Sequence, residues 1–368
     1  MACDLNITPD RQLAKGQWVK LICGASYQDL PAIRNLALVY TLVGVDCVDL
    51  AADPAVVAAA QAGIQAALTL SKQFGESVKT QAPWLMVSLN DGEDPHFRKA
   101  YFDPSCCPPD CPRPCASVCP TLAISPLSVA QSSVLSQPQH PSGIKMEKCY
   151  GCGRCLSLCP LGLIETRAQA AAVETLVPWL QSGQIAAIEI HTQVGHREEF
   201  QHLWRTLQPC FTHLKAIAIS CPFHPEVIAY LQGLHTLIQP LPLPLIWQTD
   251  GRPMSGDIGR GTTNTCIYYG EQVLKAKLPG YIQLAGGTNA YTIHKVRNQQ
   301  LAIHGVAFGG CARTLLSPIL QQADRRHQQE HRTGEVELES YPDLFHQAIA
   351  LGKTLVLPWK QPLETLAE

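Results

Sequence analysis

Along most of the chain, short apolar runs rich in β-branched residues alternate with longer stretches whose apolar positions recur at helical spacing. Strands are predicted at residues 18–23, 46–51, 84–89, 185–191, 214–220, 244–248, 281–285 and 302–308. Helices are predicted between them at 30–42, 55–74, 168–180, 198–207, 226–237, 263–277, 290–297 and 312–328. Strands that are apolar at nearly every position, each followed by a helix, belong to a parallel sheet covered on both faces. Eight such units predict an α/β chain closed as a (β/α)8 TIM-type barrel. An open doubly wound sheet would instead carry Gly-x-Gly-x-x-Gly after its first strand. Here that position reads Cys23-Gly24-Ala25-Ser26-Tyr27, which favours the barrel.

The alternation breaks once, after the third strand, and the break is filled with cysteines. Residues 1–93 hold the first three strands, 94–165 form an inserted domain, and 166–368 hold the remaining strands and a C-terminal tail. The second half of the insertion reads Cys149-Tyr-Gly-Cys152-Gly-Arg-Cys155-Leu-Ser-Leu-Cys159-Pro160. Three cysteines at two-residue spacing, then a fourth before a proline, form the bacterial ferredoxin run for a [4Fe–4S] cluster. A chain that turns tightly around one face of the cube supplies three thiolates from one loop, and Gly151 and Gly153 permit the turns.

The first half, Cys106-Cys107-Pro-Pro-Asp-Cys111-Pro-Arg-Pro-Cys115-Ala-Ser-Val-Cys119-Pro120, repeats this logic with wider gaps. Its four-residue spacing would suit one helical face, but Pro108, Pro109, Pro112 and Pro114 argue against a helix and for a wrapping loop. In two-cluster ferredoxins the cysteine before proline ligates the other cluster. That rule assigns Cys107, Cys111, Cys115 and Cys159 to one cluster and Cys119, Cys149, Cys152 and Cys155 to a second. Cys106 competes with Cys107 for the first position and is otherwise surplus. A zinc ribbon would pair two short Cys-x-x-Cys knuckles instead. The inserted domain is therefore expected to be a bacterial-type two-cluster ferredoxin domain.

Composition narrows the picture further. Of 368 residues 46% are hydrophobic and 16% charged, which allows a sizeable core, and the net charge of −2 with scattered Lys and Arg excludes the basic stripe of a nucleic-acid binder. The amino terminus lacks the apolar core of a signal peptide. The greasiest stretch, 51–70, is broken by Asp53, Pro54, Gln61, Gly63 and Gln65 and reads as a packed helix rather than a membrane span. Sixteen cysteines in a chain without a secretion signal point to a reducing compartment, here the cytoplasm. Cys3, Cys23, Cys47, Cys210, Cys221, Cys266 and Cys311 are expected to be buried small hydrophobes. The Ser-, Gln- and Pro-rich stretch 125–142 reads as a surface excursion.

Candidate chemistry at the barrel mouth is sparser. Gly286 and Gly287 follow the seventh strand, and Gly309 and Gly310 the eighth. These are the loops where such barrels hold phosphate, which suits FMN or another phosphate-bearing ligand. Glycines serving only tight turns are the competing explanation. Residues 247–261 form the densest polar and glycine patch outside the cysteines, although Asp250 and Arg252 suit a simple turn ion pair. Lys20, alone in an apolar first strand, either points inward toward a phosphate or carboxylate or snorkels to the barrel end. No His-Glu-x-x-His motif and no Ser/His/Asp or Cys/His set is present, so no catalytic residue is assigned.

Taken with the two cysteine runs, four further stretches resemble a known family. Trp18-Val-Lys-Leu-Ile-Cys-Gly-Ala-Ser, ALVYTLVGVDCVDLAADP over 37–54, Asp94-Pro-His-Phe-Arg-Lys-Ala and Gln248-Thr-Asp-Gly-Arg-Pro-Met-Ser-Gly-Asp are similar to the cyanobacterial light-dependent period family. The likeness spans nearly the whole chain. It implies an iron–sulfur protein that feeds redox or light status into the circadian clock, in contact with clock-input proteins, and it makes Cys107 the first ligand of the widened run. The favoured function is then a redox-sensing regulator exchanging electrons with a soluble carrier or the quinone pool. The alternative is an FMN-dependent barrel oxidoreductase with the clusters as electron relay, a layout similar to that of the dihydroorotate and dihydropyrimidine dehydrogenases.

Overall fold

The computed structural model describes residues 8–23, 29–73, 81–92, 94–124, 143–146, 148–169, 173–251, 262–331 and 335–361. The stretches 125–142 and 252–261 singled out above lie outside them. Two compact units are formed: one of Met1–Gly24, Leu30–Gly92 and Ala171–Glu368, the other of Ala25–Asp29 and Glu93–Ala170.

The larger unit begins α1 (Pro9–Ala14), β1 (Trp18–Ile22), α2 (Leu30–Leu42), β2 (Cys47–Ala51), α3 (Pro54–Gln73), β3 (Trp84–Asn90). The second unit follows with β4 (Asp94–Tyr101), the single turn α4 (Pro114–Ser117) and β5 (Glu165–Gln169). The larger unit resumes with α5 (Val173–Gln181), β6 (Ala187–His191), α6 (Arg197–Leu207), β7 (Ala216–Pro222), α7 (Val227–Leu237) and β8 (Leu245–Asp250). It ends with α8 (Thr262–Lys275), β9 (Tyr281–Ala285), α9 (Thr292–Asn298), β10 (Gly305–Phe308), α10 (Gly310–Gln329) and α11 (Pro342–Lys360). Its strands close in the order β1-β10-β9-β8-β7-β6-β3-β2. Because β1 pairs in parallel with both β10 (Trp18↔Gly305) and β2 (Lys20↔Cys47), no edge is left and the barrel, not the open sheet, is the fold.

The amino-terminal end of the barrel is apolar. Trp18 and Trp84 meet edge to face with centroids 5.4 Å apart, packed with Leu13 of α1, Met86, Ala187, Ala218 and Ile246. Gly305 makes room for Trp18, since a Cβ there would sit 2.5 Å from the indole. The C-terminal helix α11, absent from the sequence expectations, buries Leu344, Phe345, Ala348, Leu355, Val356 and Trp359 along one face, and Lys360 at its end pairs with buried Asp46.

Two local expectations are corrected. The helix expected from Ala168 starts only at α5, because Glu165–Gln169 pairs antiparallel with β4. Alternation explains this: Glu165 and Arg167 face solvent while Thr166 and Ala168 are half-buried. The proline-rich run does hold one helical turn, α4, with Pro114 in its first turn, where the missing N–H costs nothing.

The segment Pro54–Ser71 of α3 is long and apolar enough by length and composition to cross a membrane. In the fold it lies along α2, and Gly63 sets how closely: a Cβ there would fall 2.0 Å from the Arg34 carbonyl oxygen. Helix propensity alone would make Gly63→Ala stabilising by about 1 kcal/mol. A collision with backbone sits at the upper end of the ~1–3 kcal/mol range for overpacking and outweighs that gain. Gly63→Ala therefore lowers the urea midpoint at unchanged m-value; a raised midpoint would contradict the packing.

Candidate metal centre

The second unit is organised on the β4–β5 hairpin. Arg98 forks onto Thr166, its Nε 2.9 Å from Oγ1 and Nη2 2.6 Å from the carbonyl, and the Arg167 guanidinium lies 3.3 Å over the Tyr101 ring. From this base the first cysteine run departs through a short turn capped by Asp103, which accepts from the Ser105 N–H at 2.8 Å. That turn leaves Cys106 exposed, whereas Cys107 packs against the apolar cluster of the unit.

The second run bends at Gly151 and Gly153, with φ of 80° and 74°. A side chain at Gly151 would also strike the Arg98 carbonyl oxygen at 2.1 Å, so glycine there serves both turn and close approach. Cys149 and Cys155 are carried into the interior beside Cys115, Ile124, Ile144 and Ile164.

Electrostatic neighbourhoods divide the sulfurs into two sets. Burial pushes the Cys115 thiol above its ordinary value, and Cys159, Cys107 and Cys111 add to the rise. Burial pushes Cys155 up to about 12, reinforced by Cys152, Cys149 and Cys119. The second set lines one cavity together with Tyr150, Gly151 and Ile144.

The two Cys-Pro endings are copies of one another. Leu122 N–H donates to the Cys119 carbonyl at 3.2 Å and Gly162 N–H to that of Cys159 at 3.1 Å. Ala123 N–H reaches Cys119 Sγ at 3.2 Å, and Leu163 N–H reaches Cys159 Sγ at 3.3 Å. Leu122 and Gly162 both adopt left-handed backbone, φ 53° and 63°. A leucine held there is strained, and the turn brings the Ala123 N–H onto the Cys119 sulfur.

Among the described residues no three His, Cys, Asp or Glu side chains converge as on a single metal ion. A four-iron cube spreads its ligands, one thiolate to each iron, and soft thiolates with N–H···S donors are the set such a cube takes. The residues therefore fit a cluster better than a lone ion. The described thiols are free. Cys23, Cys47, Cys210, Cys221 and Cys266 are buried and Cys311 is half-buried, where burial pushes its thiol up rather than activating it.

The barrel interior holds a second polar assembly, of which Lys20 and, within the polar patch, Gln248 and Asp250 were legible as candidates. Lys20 points inward and pairs with Asp49 at 3.0 Å and with Glu189. Gln248 Nε2 donates to Glu189 at 2.8 Å, Gln283 to Gln248 at 2.5 Å, and Trp18 Nε1 to Gln283 at 2.6 Å. Ser88 Oγ donates to Asp49 at 2.6 Å, and Ser220 to Asp250. The missed signal is positional: each of the five-residue strands WVKLI, CVDLA, AIEIH and YIQLA carries a strongly polar residue at its centre, in inward register.

The glycines proposed for phosphate do lie at the carboxyl ends of their strands. Gly286 and Gly287 have φ of 63° and 121°, and a Cβ on Gly287 would fall 2.6 Å from Thr262. Thr263 Oγ1 donates to the Gly287 carbonyl at 2.7 Å. Gly309 and Gly310 open α10, where Arg313 reaches back to the Ile22 carbonyl at 3.0 Å. Turn and packing thus account for the Gly286-Gly287 pair without a ligand.

Lys20→Met would leave Asp49 and Glu189 buried without their cation, and a loss of about 3–5 kcal/mol is expected from urea unfolding at pH 7. Burial pushes the Asp250 carboxyl up to about 6, with Glu189 adding to the rise. The folded value exceeds the unfolded one, so the folded state holds a proton longer, and stability falls as pH rises from about 4 through 6. Asp250→Asn should unfold like the native chain at pH 4 and be more stable by about 2–3 kcal/mol at pH 7; equal stabilities at pH 7 would contradict this.

Comparison with known proteins adds the family. A family model described as the LdpA Fe-S cluster-binding domain matches residues 107–170. One described as the Light dependent period A C-terminal domain matches 179–358. The chain is 49% identical over 360 residues to "Light dependent period A" of Synechococcus elongatus, covering 96% of this chain and 94% of that protein.

Proposed function

The chain belongs to the light dependent period A family and carries its iron–sulfur cluster-binding domain; on that premise we propose that it is a redox sensor holding two [4Fe–4S] clusters in a ferredoxin-like inserted domain. The single observation that carries this is the division of eight thiols into two sets of four. Cys107, Cys111, Cys115 and Cys159 would hold one cluster, and Cys119, Cys149, Cys152 and Cys155 the other. The exposure of Cys106, against the packed Cys107, supports leaving Cys106 out. Interleaving ties the two loops together, because each cysteine run donates its Cys-Pro ligand to the cluster of the other.

When bound, such clusters supply reversible one-electron uptake. The chain's own residues hold the sulfurs, donate N–H groups to Cys119 and Cys159, and bury Cys115 of one set and Cys149 and Cys155 of the other. Electrons would be exchanged with a soluble carrier or the quinone pool, and the oxidation state would alter contacts with a clock-input protein. A reducing cytoplasmic setting suits the free thiols. An FMN-dependent oxidoreductase is less well supported, because packing against Thr262 and Thr263 already explains Gly286 and Gly287.

Cys155→Ser tests the proposal. It should bring iron from about eight to about four per chain, while far-UV circular dichroism and the barrel's urea transition stay unchanged. Iron remaining near eight would overturn the ligand assignment.

A further inference from the structure

Resting on the two-cluster reading, we propose that the face around Leu122, Lys145 and Lys148 is the docking surface for a small acidic one-electron carrier protein, which meets the sulfur set of Cys119, Cys149, Cys152 and Cys155 there. Leu122 is a residue that the fold itself does not need.

Leu122 follows Cys119 by three residues and is 70% exposed. Its backbone is left-handed, at φ 53°, where a side chain is strained. The second Cys-Pro ending supplies an internal control. Cys119-Pro-Thr-Leu122 matches Cys159-Pro-Leu-Gly162, and the glycine makes the same turn, at φ 63°, without strain. A leucine that neither packs inward nor suits its backbone gains the fold nothing at this place. An apolar side chain held exposed and against strain belongs to a contact with something outside the chain.

The surroundings of Leu122 say what fits it. Thr121 Oγ1 donates to the Lys148 carbonyl at 2.8 Å, and Lys145 N–H donates to the Ala123 carbonyl at 2.7 Å. The residues on either side of Leu122 are thus tied to the two lysines. Both lysines are exposed, and neither has a carboxylate partner among the described residues; Glu147 lies outside them. Nearby Arg154 is neutralised by Asp29 at 2.5 Å. The ending at Cys159 differs, because no residue from Ser157 to Ile164 is charged, although Leu158 and Leu161 are exposed. Only the Leu122 end joins an apolar anchor to uncompensated positive charge, which is complementary to an acidic protein surface. An anionic membrane fits less well, since surfaces that read such lipids cluster about four to eight basic residues.

The same face adjoins the sulfurs. Leu122 N–H donates to the Cys119 carbonyl, the next N–H, of Ala123, donates to Cys119 Sγ at 3.2 Å, and Lys148 directly precedes Cys149. A carrier seated on Leu122 is therefore separated from one ligand sulfur by a single residue and a hydrogen bond. The exchange balances as one electron leaving the carrier's reduced metal centre and one arriving at the iron these sulfurs would hold, with no bond made or broken.

The test uses the full chain, purified anaerobically with iron and acid-labile sulfide counted first, and an acidic plant-type [2Fe–2S] ferredoxin as probe. Calorimetry reads the affinity, and stopped-flow absorbance reads the rate of electron transfer from the reduced probe. Both should fall steeply as salt rises from about 0.01 M to about 1 M, over which the Debye length shrinks from about 30 Å to about 3 Å. At low salt, Lys145→Glu combined with Lys148→Glu should weaken binding by about tenfold or more. Leu122→Gly should weaken it by about tenfold with iron content unchanged, and Leu161→Gly should leave it as it was. Undiminished binding in Leu122→Gly or in the lysine variant, a loss confined to Leu161→Gly, or no binding by the native chain would overturn the proposal. So would a preference for basic cytochrome c, Leu122-dependent binding to phosphatidylserine vesicles, or a Leu122-dependent dimer in sedimentation. Should Leu122→Gly lose its iron, the lysine variant decides. A native chain without labile sulfide would sink the two-cluster reading itself, which is a different result from a sulfide-loaded chain that fails to bind the probe.

Discussion

Eight thiols face one another in two groups inside a unit with very little else at its centre. Its buried cluster consists of Ala100, Phe102, Ala123, Ile124, Ile144 and Ile164 together with Cys115, Cys149 and Cys155. A core of that size cannot offset the backbone entropy of ordering long loops without regular structure. Sulfur bonded to iron supplies what the apolar side chains cannot, and in such units the free energy of binding the inorganic group is folding free energy. The left-handed Leu122 and the N–H···S bonds to Cys119 and Cys159 fit a chain shaped around its sulfur atoms.

The barrel solves a different problem. Its amino-terminal end is filled by Trp18, Trp84 and small partners, as in an ordinary hydrophobic interior. Above that layer Lys20, Asp49, Glu189, Gln248 and Gln283 replace hydrocarbon with a closed set of ion pairs and hydrogen bonds. Burying these groups costs several kcal/mol per ion, and the cost is met only because each has partners in good geometry. The result is an interior that tolerates little rearrangement, with the Asp250 carboxyl at its carboxyl end pushed up to about 6.

Much of this was legible in the chain. The near-continuous apolar strands gave all eight barrel elements and their parallel order, because a strand buried on both faces leaves a signature that helices cannot mimic at that length. The Gly151 and Gly153 turns were equally readable, since closely spaced cysteines leave the chain between them only glycine-permitted turns. What stayed hidden depends on partners far apart in sequence. Strand β5 looks helical until Thr166 meets Arg98, and α11 follows α10 directly, outside the strand–helix alternation that marks the other units. Asp49, Glu189 and Gln283 are single polar residues whose shared inward register only closure reveals. The glycine loops after β9 and β10 were placed correctly, but Gly287 carries a packing role against Thr262 that sequence cannot distinguish from phosphate binding.

The most direct measurement is the count of iron, acid-labile sulfide and acid-released flavin in the anaerobically purified chain, taken with its absorption spectrum. Two four-iron clusters predict about eight irons and eight sulfides per chain, broad charge-transfer absorption that bleaches on reduction, and no stoichiometric flavin. A single metal without sulfide would contradict the two sets of cluster thiolates on which everything said of the second unit depends.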